Sequence, residues 1–268
     1  MSGSDEYAVS KLDTGVPHSA RLWNYWLGGK DNFAVDRVVA DQILEMVPEM
    51  VASARADRAY LGRVVRHLAG EAGIRQFLDV GTGIPTADNT HEVAQQIAPD
   101  SRIVYVDNDP MVLAHARALL TSHPQGRTDY INVDLRDPGK IIEEARRTLD
   151  FDRPIALTLL GILNFIPDDD EAADLVARLV DAVPPGSYLA ISHPTTEING
   201  ETMTEALRLW NEGPAAKMVL RSADQVRRLF GDLELIEPGV VSCSRWRPDT
   251  GDEGAEPVPH FGGVARKV

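Results

Sequence analysis

The sequence predicts an α/β fold, a doubly wound, seven-stranded, mostly parallel sheet, and three observations carry that reading. From Phe77 onward, short β-rich runs alternate with helix-like segments, which is the pattern of βαβ units and a parallel sheet. Runs such as Ile155-Ala-Leu-Thr-Leu-Leu160 are apolar at nearly every position, as expected of a central strand covered on both faces. The connecting segments carry helix start signals: Asp109-Pro110 and Asp137-Pro138 pair a capping Asp with a Pro at the first helical position, while Asp168 with Glu171 and Ser222 with Gln225 have capping-box spacing.

In chain order the strands are expected at 76–80, 102–106, 130–133, 155–160, 188–192, 233–237 with 240–245, and 261–266. Ahead of them lie about seventy residues with helical periodicity and no strand signal, including 36–47 and 48–69. These should pack as a helical cap over the sheet's edge or mouth. The organisation expected is a flexible N-terminus at 1–15, a cap at 16–72 and an α/β domain at 73–268, with the acidic Pro/Gly-rich stretch 248–259 as a solvated arm between the last two strands.

Composition narrows the functional classes. The 268 residues are 43% hydrophobic and 25% charged, enough for a substantial core. A formal charge of −14 repels phosphate backbones and anionic lipid headgroups, and the basic pairs Arg146-Arg147 and Arg227-Arg228 read as solvated helix faces. Neither a nucleic acid nor a membrane is therefore the expected partner. Cys243 is the one cysteine, which excludes an intrachain disulfide and a cysteine-based zinc site, and no metal is expected. The polar first residues lack the features of a secretory signal, and no stretch approaches the length of a membrane span. The expected location is the cytoplasm.

The sharpest local signal is Phe77-Leu-Asp79-Val-Gly81-Thr-Gly83-Ile-Pro85-Thr86, a strand ending in a glycine turn that leads into an expected helix at 86–97. Glycine lets a nucleoside approach the backbone, and a free helix N-terminus beyond the turn would offer N–H groups to an anion. Asp107 ends the second run, about 24 residues past Gly83, where nucleotide-binding sheets place the carboxylate that accepts from ribose hydroxyls. Asp134 ends the third run, where an acceptor can meet the amino group of adenine. Asp109 is assigned to capping because Pro110 follows it. A dinucleotide is disfavoured, since the third place of its glycine fingerprint is Thr86 and Asp79 stands before the turn. A P-loop is excluded because its Gly-Lys-Ser/Thr signature is missing.

Asp79-Val-Gly81-Thr-Gly83, Asp107 and Asp134-Leu135 resemble the successive nucleoside-binding motifs of class I S-adenosylmethionine-dependent methyltransferases, with Pro85 where many members carry a third glycine. The segment Pro17-His-Ser-Ala-Arg21-Leu-Trp-Asn-Tyr25-Trp-Leu-Gly28-Gly29-Lys30-Asp31-Asn32-Phe33, with Gly81-Thr-Gly83-Ile-Pro85-Thr86 and Phe261-Gly-Gly-Val-Ala-Arg266-Lys267, is similar to a bacterial S-adenosyl methyltransferase family first catalogued as a domain of unknown function. The resemblance covers the chain after about Gly15 and implies S-adenosylmethionine as cofactor. It extends the expected binding set to Thr82, Asn108, Leu135 and Gly161. It leaves the acceptor open, and the missing Asn/Asp-Pro-Pro-Tyr/Phe motif after the fourth run leans it toward a small molecule with a hydroxyl, carboxyl or amine.

In the N-terminal segment, Trp23 and Trp26 lie one helical turn apart and read as a core face before a Gly-Gly stop. Arg21 or Lys30 is expected near the methionyl carboxylate and Tyr25 near the sulfonium or the acceptor. Methyl transfer needs in-line positioning and exclusion of water rather than a protein nucleophile. If the acceptor must lose a proton, the candidate bases are His193, ranked first for its place at the C-terminal rim of the fifth strand, then His18 and Tyr25. Met203, Leu207 and Trp210, at helical spacing after that strand, either wall an acceptor pocket or pack into the core. A non-catalytic sensor that holds the cofactor or its demethylated product is the alternative function. An acceptor pocket open to the sulfonium side would favour the enzyme.

Overall fold

The computed structural model describes residues 14–268 except 87, 110, 113, 114, 116–120, 250, 252 and 253. The expected flexible N-terminus at 1–15 falls almost wholly outside the described residues, as does Pro110. The helices are α1 (Ser19–Trp26), α2 (Ala34–Met46), α3 (Met50–Gly70), α4 (Thr90–Ile97), α5 (Pro138–Ala145), α6 (Asp169–Asp181), α7 (Gly200–Glu212) and α8 (Ala223–Arg228). The strands are β1 (Gln76–Val80), β2 (Arg102–Asp107), β3 (Arg127–Asn132), β4 (Ala156–Leu160), β5 (Tyr188–Pro194), β6 (Glu234–Leu235), β7 (Val241–Ser242) and β8 (His260–Arg266).

The sheet runs in the order β3-β2-β1-β4-β5-β8-β6, with β7 paired to β8. Strands β1 to β5 are mutually parallel and β8 is antiparallel to β5. It holds eight strands rather than seven, because the expected 233–237 and 240–245 runs form two separate two-residue strands, and 243–245 turns into a 3-10 helix. Strand order reverses between β1 and β4, so the C-terminal ends of these strands diverge and open a crevice.

Periodicity explains which face each helix buries. One side of the sheet is covered by α5, α6 and α8, through Ile141, Leu175, Leu179 and Val226 packed on Leu78, Val104, Leu157 and Ile191. The other side is covered by α3 and α4, where Tyr60, Val64, Leu68 and Ala94 meet Phe77, Ile103, Ala156 and Val264. Helices α1, α2 and α7 form a third apolar cluster around Leu22, Trp26, Ile43, Met203 and Trp210. Thus α3 is a layer of the sheet, whereas α1 and α2 pack with α7. The capping signals of α5, α6 and α8 are used as read: Asp137, Asp168 and Ser222 accept from the backbone N–H of Lys140, Glu171 and Gln225.

Two glycines of β8 are forced by their neighbours. A Cβ at Gly262 would lie 2.7 Å from the ring of Tyr60, and one at Gly263 would lie 3.0 Å from Val240. The Tyr60 hydroxyl then donates to the Gly263 carbonyl at 2.7 Å, which fastens α3 across the sheet.

Candidate active site

A cavity of about 260 Å³ lies over the C-terminal ends of β1, β2, β3 and β4. Asp79, Gly81, Thr82, Gly83, Asp107, Asn108, Asp134, Leu135 and Gly161 all line it. The sheet delivers these residues together because parallel strands end on one rim.

The turn after β1 is built by its glycines. Gly81 has φ 79°, and a Cβ there would come within 2.6 Å of Ile162. Gly83 has φ 68°, and a Cβ there would meet nothing within 4 Å. The turn therefore presents bare backbone to the cavity. Helix α4 begins at Thr90 and not at 86, because Asn89 and Glu92 form a capping box that starts the helix there. Asn89 Oδ1 also accepts from the Thr86 N–H at 3.2 Å. The free helix N-terminus expected beyond the turn is therefore already capped.

The three acidic strand ends differ. Asp79 is buried, with Oδ2 accepting from Thr90 Oγ1 at 2.6 Å and Oδ1 from Thr158 Oγ1 at 2.8 Å. Burial raises its pKa, partly opposed by those hydrogen bonds and by the charge of Arg58. Asp107 accepts from the Gly83 and Asp109 N–H groups, each at 2.9 Å, and burial raises its pKa against those bonds. Each of its oxygens keeps acceptor capacity for a vicinal diol. Asp134 accepts from Asn108 Nδ2 at 2.7 Å and from the Arg136 N–H at 2.8 Å. Asp109 accepts from the Met111 N–H at 2.8 Å, as a cap would.

The structure places the N-terminal candidates elsewhere. Arg21 is buried, with its guanidinium 3.0 Å from Asp36, donating to the Val16 carbonyl and lying over the Phe33 ring. It fastens α1 to α2 and does not line the cavity. The Tyr25 hydroxyl donates to Asp41 at 2.9 Å, an interaction that raises its pKa. Lys30 is exposed on a turn knitted by Asn24, whose Oδ1 accepts from the Asp31 N–H at 2.9 Å and from Asn32 Nδ2 at 3.0 Å. A Cβ at Gly29 would strike the Asn24 amide at 2.3 Å, so the Gly-Gly-Lys-Asp-Asn string is a tight turn around that side chain. His193 is also away from the cavity: it is fully buried, its Nδ1 donates to the Pro194 carbonyl at 2.8 Å and its Nε2 accepts from Arg221 at 2.9 Å. Burial first, and the Arg221 charge, push its pKa down to about 3. A base so weak and so enclosed does not serve an acceptor, which corrects the ranking of His193. Of the three candidate bases, His18 lines the cavity, 3.3 Å from Asp109.

Sequence reasoning missed the contribution of α3. Ala54, Asp57, Arg58 and Leu61 follow i, i+3, i+4, i+7 spacing and line the cavity together. Arg58 Nη2 donates to Asn89 Oδ1 at 2.9 Å. Burial lowers its pKa, opposed chiefly by the charge of Asp79. A charged pair within an otherwise apolar helical stripe was the signal that could have found it.

The sequence profile of a family described as S-adenosyl methyltransferase matches residues 5–268. The chain belongs to the S-adenosyl methyltransferase family. A DUF574 family protein from Streptomyces avermitilis is 44% identical in sequence, with a TM-score of 0.92 over 96% of this chain and 99% of that one. A protein from Thermobifida fusca described as a putative methyltransferase is 40% identical, with a TM-score of 0.86 over 99% of this chain and 97% of that one. Human N-acetylserotonin methyltransferase, 15% identical, shares the fold with a TM-score of 0.50 over 99% of this chain and 66% of that one. No curated protein matches the chain in sequence. As a member of the S-adenosyl methyltransferase family, the protein is an S-adenosylmethionine-dependent methyltransferase of the Rossmann-like class I fold. Among the described residues no helix is long and apolar enough to cross a membrane, and no His, Cys, Asp or Glu cluster could hold a metal ion.

Proposed function

We propose that this methyltransferase acts on a small molecule, with the cofactor lying across the 260 Å³ cavity. The observation that carries the reading is continuity: Ser19, Trp23, Gly161 and Phe165 line both this cavity and a second, apolar one beside it. A site open toward an acceptor pocket supports turnover rather than sensing. When bound, S-adenosylmethionine supplies an electrophilic methyl group on a sulfonium. Asp107 accepts from the ribose hydroxyls, Asp134, Asn108 and Leu135 surround the adenine, and the Gly81–Gly83 backbone admits the nucleoside. The methionyl end falls to Asp79 and Arg58 rather than to Arg21 or Lys30, because Arg58 is the cation that lines the cavity beside Asp79. The acidic surface and a single buried thiol, Cys243, suit a reducing cytoplasm.

Calorimetric titration with S-adenosylmethionine, S-adenosylhomocysteine and NAD tests this reading. Micromolar binding of the first two, about −8 kcal/mol, is expected, with none for NAD. Asp107→Ala should weaken both by about 100-fold, the loss of two hydrogen bonds to a charged acceptor. Arg58→Ala should weaken them by about tenfold, and Lys30→Ala should leave them unchanged. A preference for NAD would sink the assignment.

A further inference from the structure

His18 stands at the N-terminal cap of α1, with extended backbone at φ −128° and ψ 136°. Ser, Thr, Asp or Asn usually fills such a place, because its side chain accepts from the first turn, yet the His18 ring makes no cap bond. The backbone N–H of His18 donates to Asp36 Oδ1 at 3.0 Å, which fixes the residue at the α1–α2 corner. Its side chain is turned into the cofactor cavity instead.

There the ring meets Asp109. His18 Nδ1 and Asp109 Oδ2 stand 3.3 Å apart, but they are not aligned as a hydrogen bond, and both atoms are buried without a partner. Asp109 uses its other oxygen as a cap, since Oδ1 accepts from the Met111 N–H at 2.8 Å. Buried polar atoms without partners are costly, and a slight turn of the ring pairs these two with each other. The His18 side chain is 40% exposed although Nδ1 is buried, so its Nε2 edge is the part left to the cavity. That edge adjoins the carboxylate assigned to the ribose: the Asp109 N–H donates to Asp107 Oδ1 at 2.9 Å. Burial raises the pKa of Asp107, while the hydrogen bonds from Asp109 and Gly83 and the charge of His18 oppose it.

We propose that His18 closes the roof over the ribose of the cofactor, with Nδ1 held by Asp109 and Nε2 donating to an oxygen of the diol whose protons Asp107 accepts. The inference rests on the methyltransferase reading above and adds a contact from α1 to the site on the sheet. A protonated imidazole carries a donor on each nitrogen, and a hydroxyl oxygen that donates its own proton still accepts another. Asp107 therefore holds the diol from the floor and His18 from the roof. Asp109 is the positioning residue, because it decides which ring nitrogen is left for the ligand. A ring engaged at both nitrogens has no free acceptor, so His18 is not a base for the methyl acceptor.

The full chain is titrated calorimetrically with S-adenosylhomocysteine, with its 2′-deoxy and 3′-deoxy analogues, and with S-inosylhomocysteine, which lacks the adenine amino group. His18→Ala should weaken S-adenosylhomocysteine about tenfold, the loss of one charge-assisted hydrogen bond. The same substitution should cost less than about twofold for the deoxy analogue that lacks the contacted oxygen, and the full tenfold for S-inosylhomocysteine. His18→Gln, which keeps an N–H donor, should bind within about threefold of the parent. Asp109→Asn should weaken binding about fivefold in the parent and no further in His18→Ala. Urea midpoints without ligand establish that each variant is folded. A His18→Ala loss that is equal for every ligand, or that vanishes only with S-inosylhomocysteine, would overturn the ribose contact, as would full affinity in His18→Ala. Additive losses from the two substitutions would remove Asp109 from its positioning role. Failure of the parent to bind S-adenosylhomocysteine would instead sink the reading on which the inference rests.

Discussion

His193 sits at a strand terminus where ligands of open α/β sheets bind, yet its ring is held between the Pro194 carbonyl and Arg221. Arg221 is itself buried and reaches Asp169 at 2.8 Å, so the imidazole belongs to a polar clasp that ties β5 to α6. Its folded pKa of about 3 lies below the ordinary 6.5 because burial disfavours the charged ring. Between these values the unfolded chain binds a proton that the folded chain does not. Stability therefore falls as pH drops from 6.5 toward 3, by up to about 1.4 kcal/mol per pH unit. Urea unfolding of His193→Gln should show a shallower loss between pH 6.5 and 5 than the parent. Some slope should remain, since burial also lowers the pKa values of His91 and His260. Identical slopes would exclude a neutral His193. The sequence revealed the acids on the sheet's rim because a strand end is a local feature. It did not reveal that Arg221, 28 residues away, occupies the His193 ring.

At the scale of elements, a short-range pattern competes with a longer-range partner. The registers of α5, α6 and α8 were legible because their caps lie three residues from the groups they bond. The start of α4 was misread because Pro85-Thr86 has the look of a helix opening, while Asn89 and Glu92 cap each other one turn later. Arg21 was misassigned for a related reason. Its position beside the Gly-Gly turn suggested a ligand, but Asp36, 15 residues on, meets it in the interior. Asp36 also accepts from the His18 and Phe33 N–H groups, so it fastens the α1–α2 corner from inside while Asn24 knits the turn. Asp36→Ala removes the carboxylate that faces the buried Arg21 guanidinium and should destabilise the fold by about 3–5 kcal/mol, read as a lower urea midpoint. A loss under about 1 kcal/mol would mean that Arg21 finds water and the corner is not fastened there.

Across the whole molecule, the cavity is a seam between the sheet rim and the α1 region. Its floor is the sheet rim, while His18, Ser19, Trp23, Asn24 and Leu27 of the α1 region form its roof. The roof's own core lies with α2 and α7 rather than with the sheet. A ligand that touches floor and roof together should bind the closed arrangement and not the unfolded chain, so its binding free energy adds to stability. At a concentration 100 times its dissociation constant, S-adenosylhomocysteine should contribute about 2.7 kcal/mol. For a chain of this size that raises Tm by about 5–10 °C. Amide hydrogen exchange should slow in α1 as well as at the Gly81 turn, because opening the roof then requires release of the ligand. Asp107→Ala, which alters only the floor, should reduce both effects together. Protection confined to the turn, with α1 exchanging at its unliganded rate, would show that the cofactor rests on the sheet alone and that the roof takes no part in holding it.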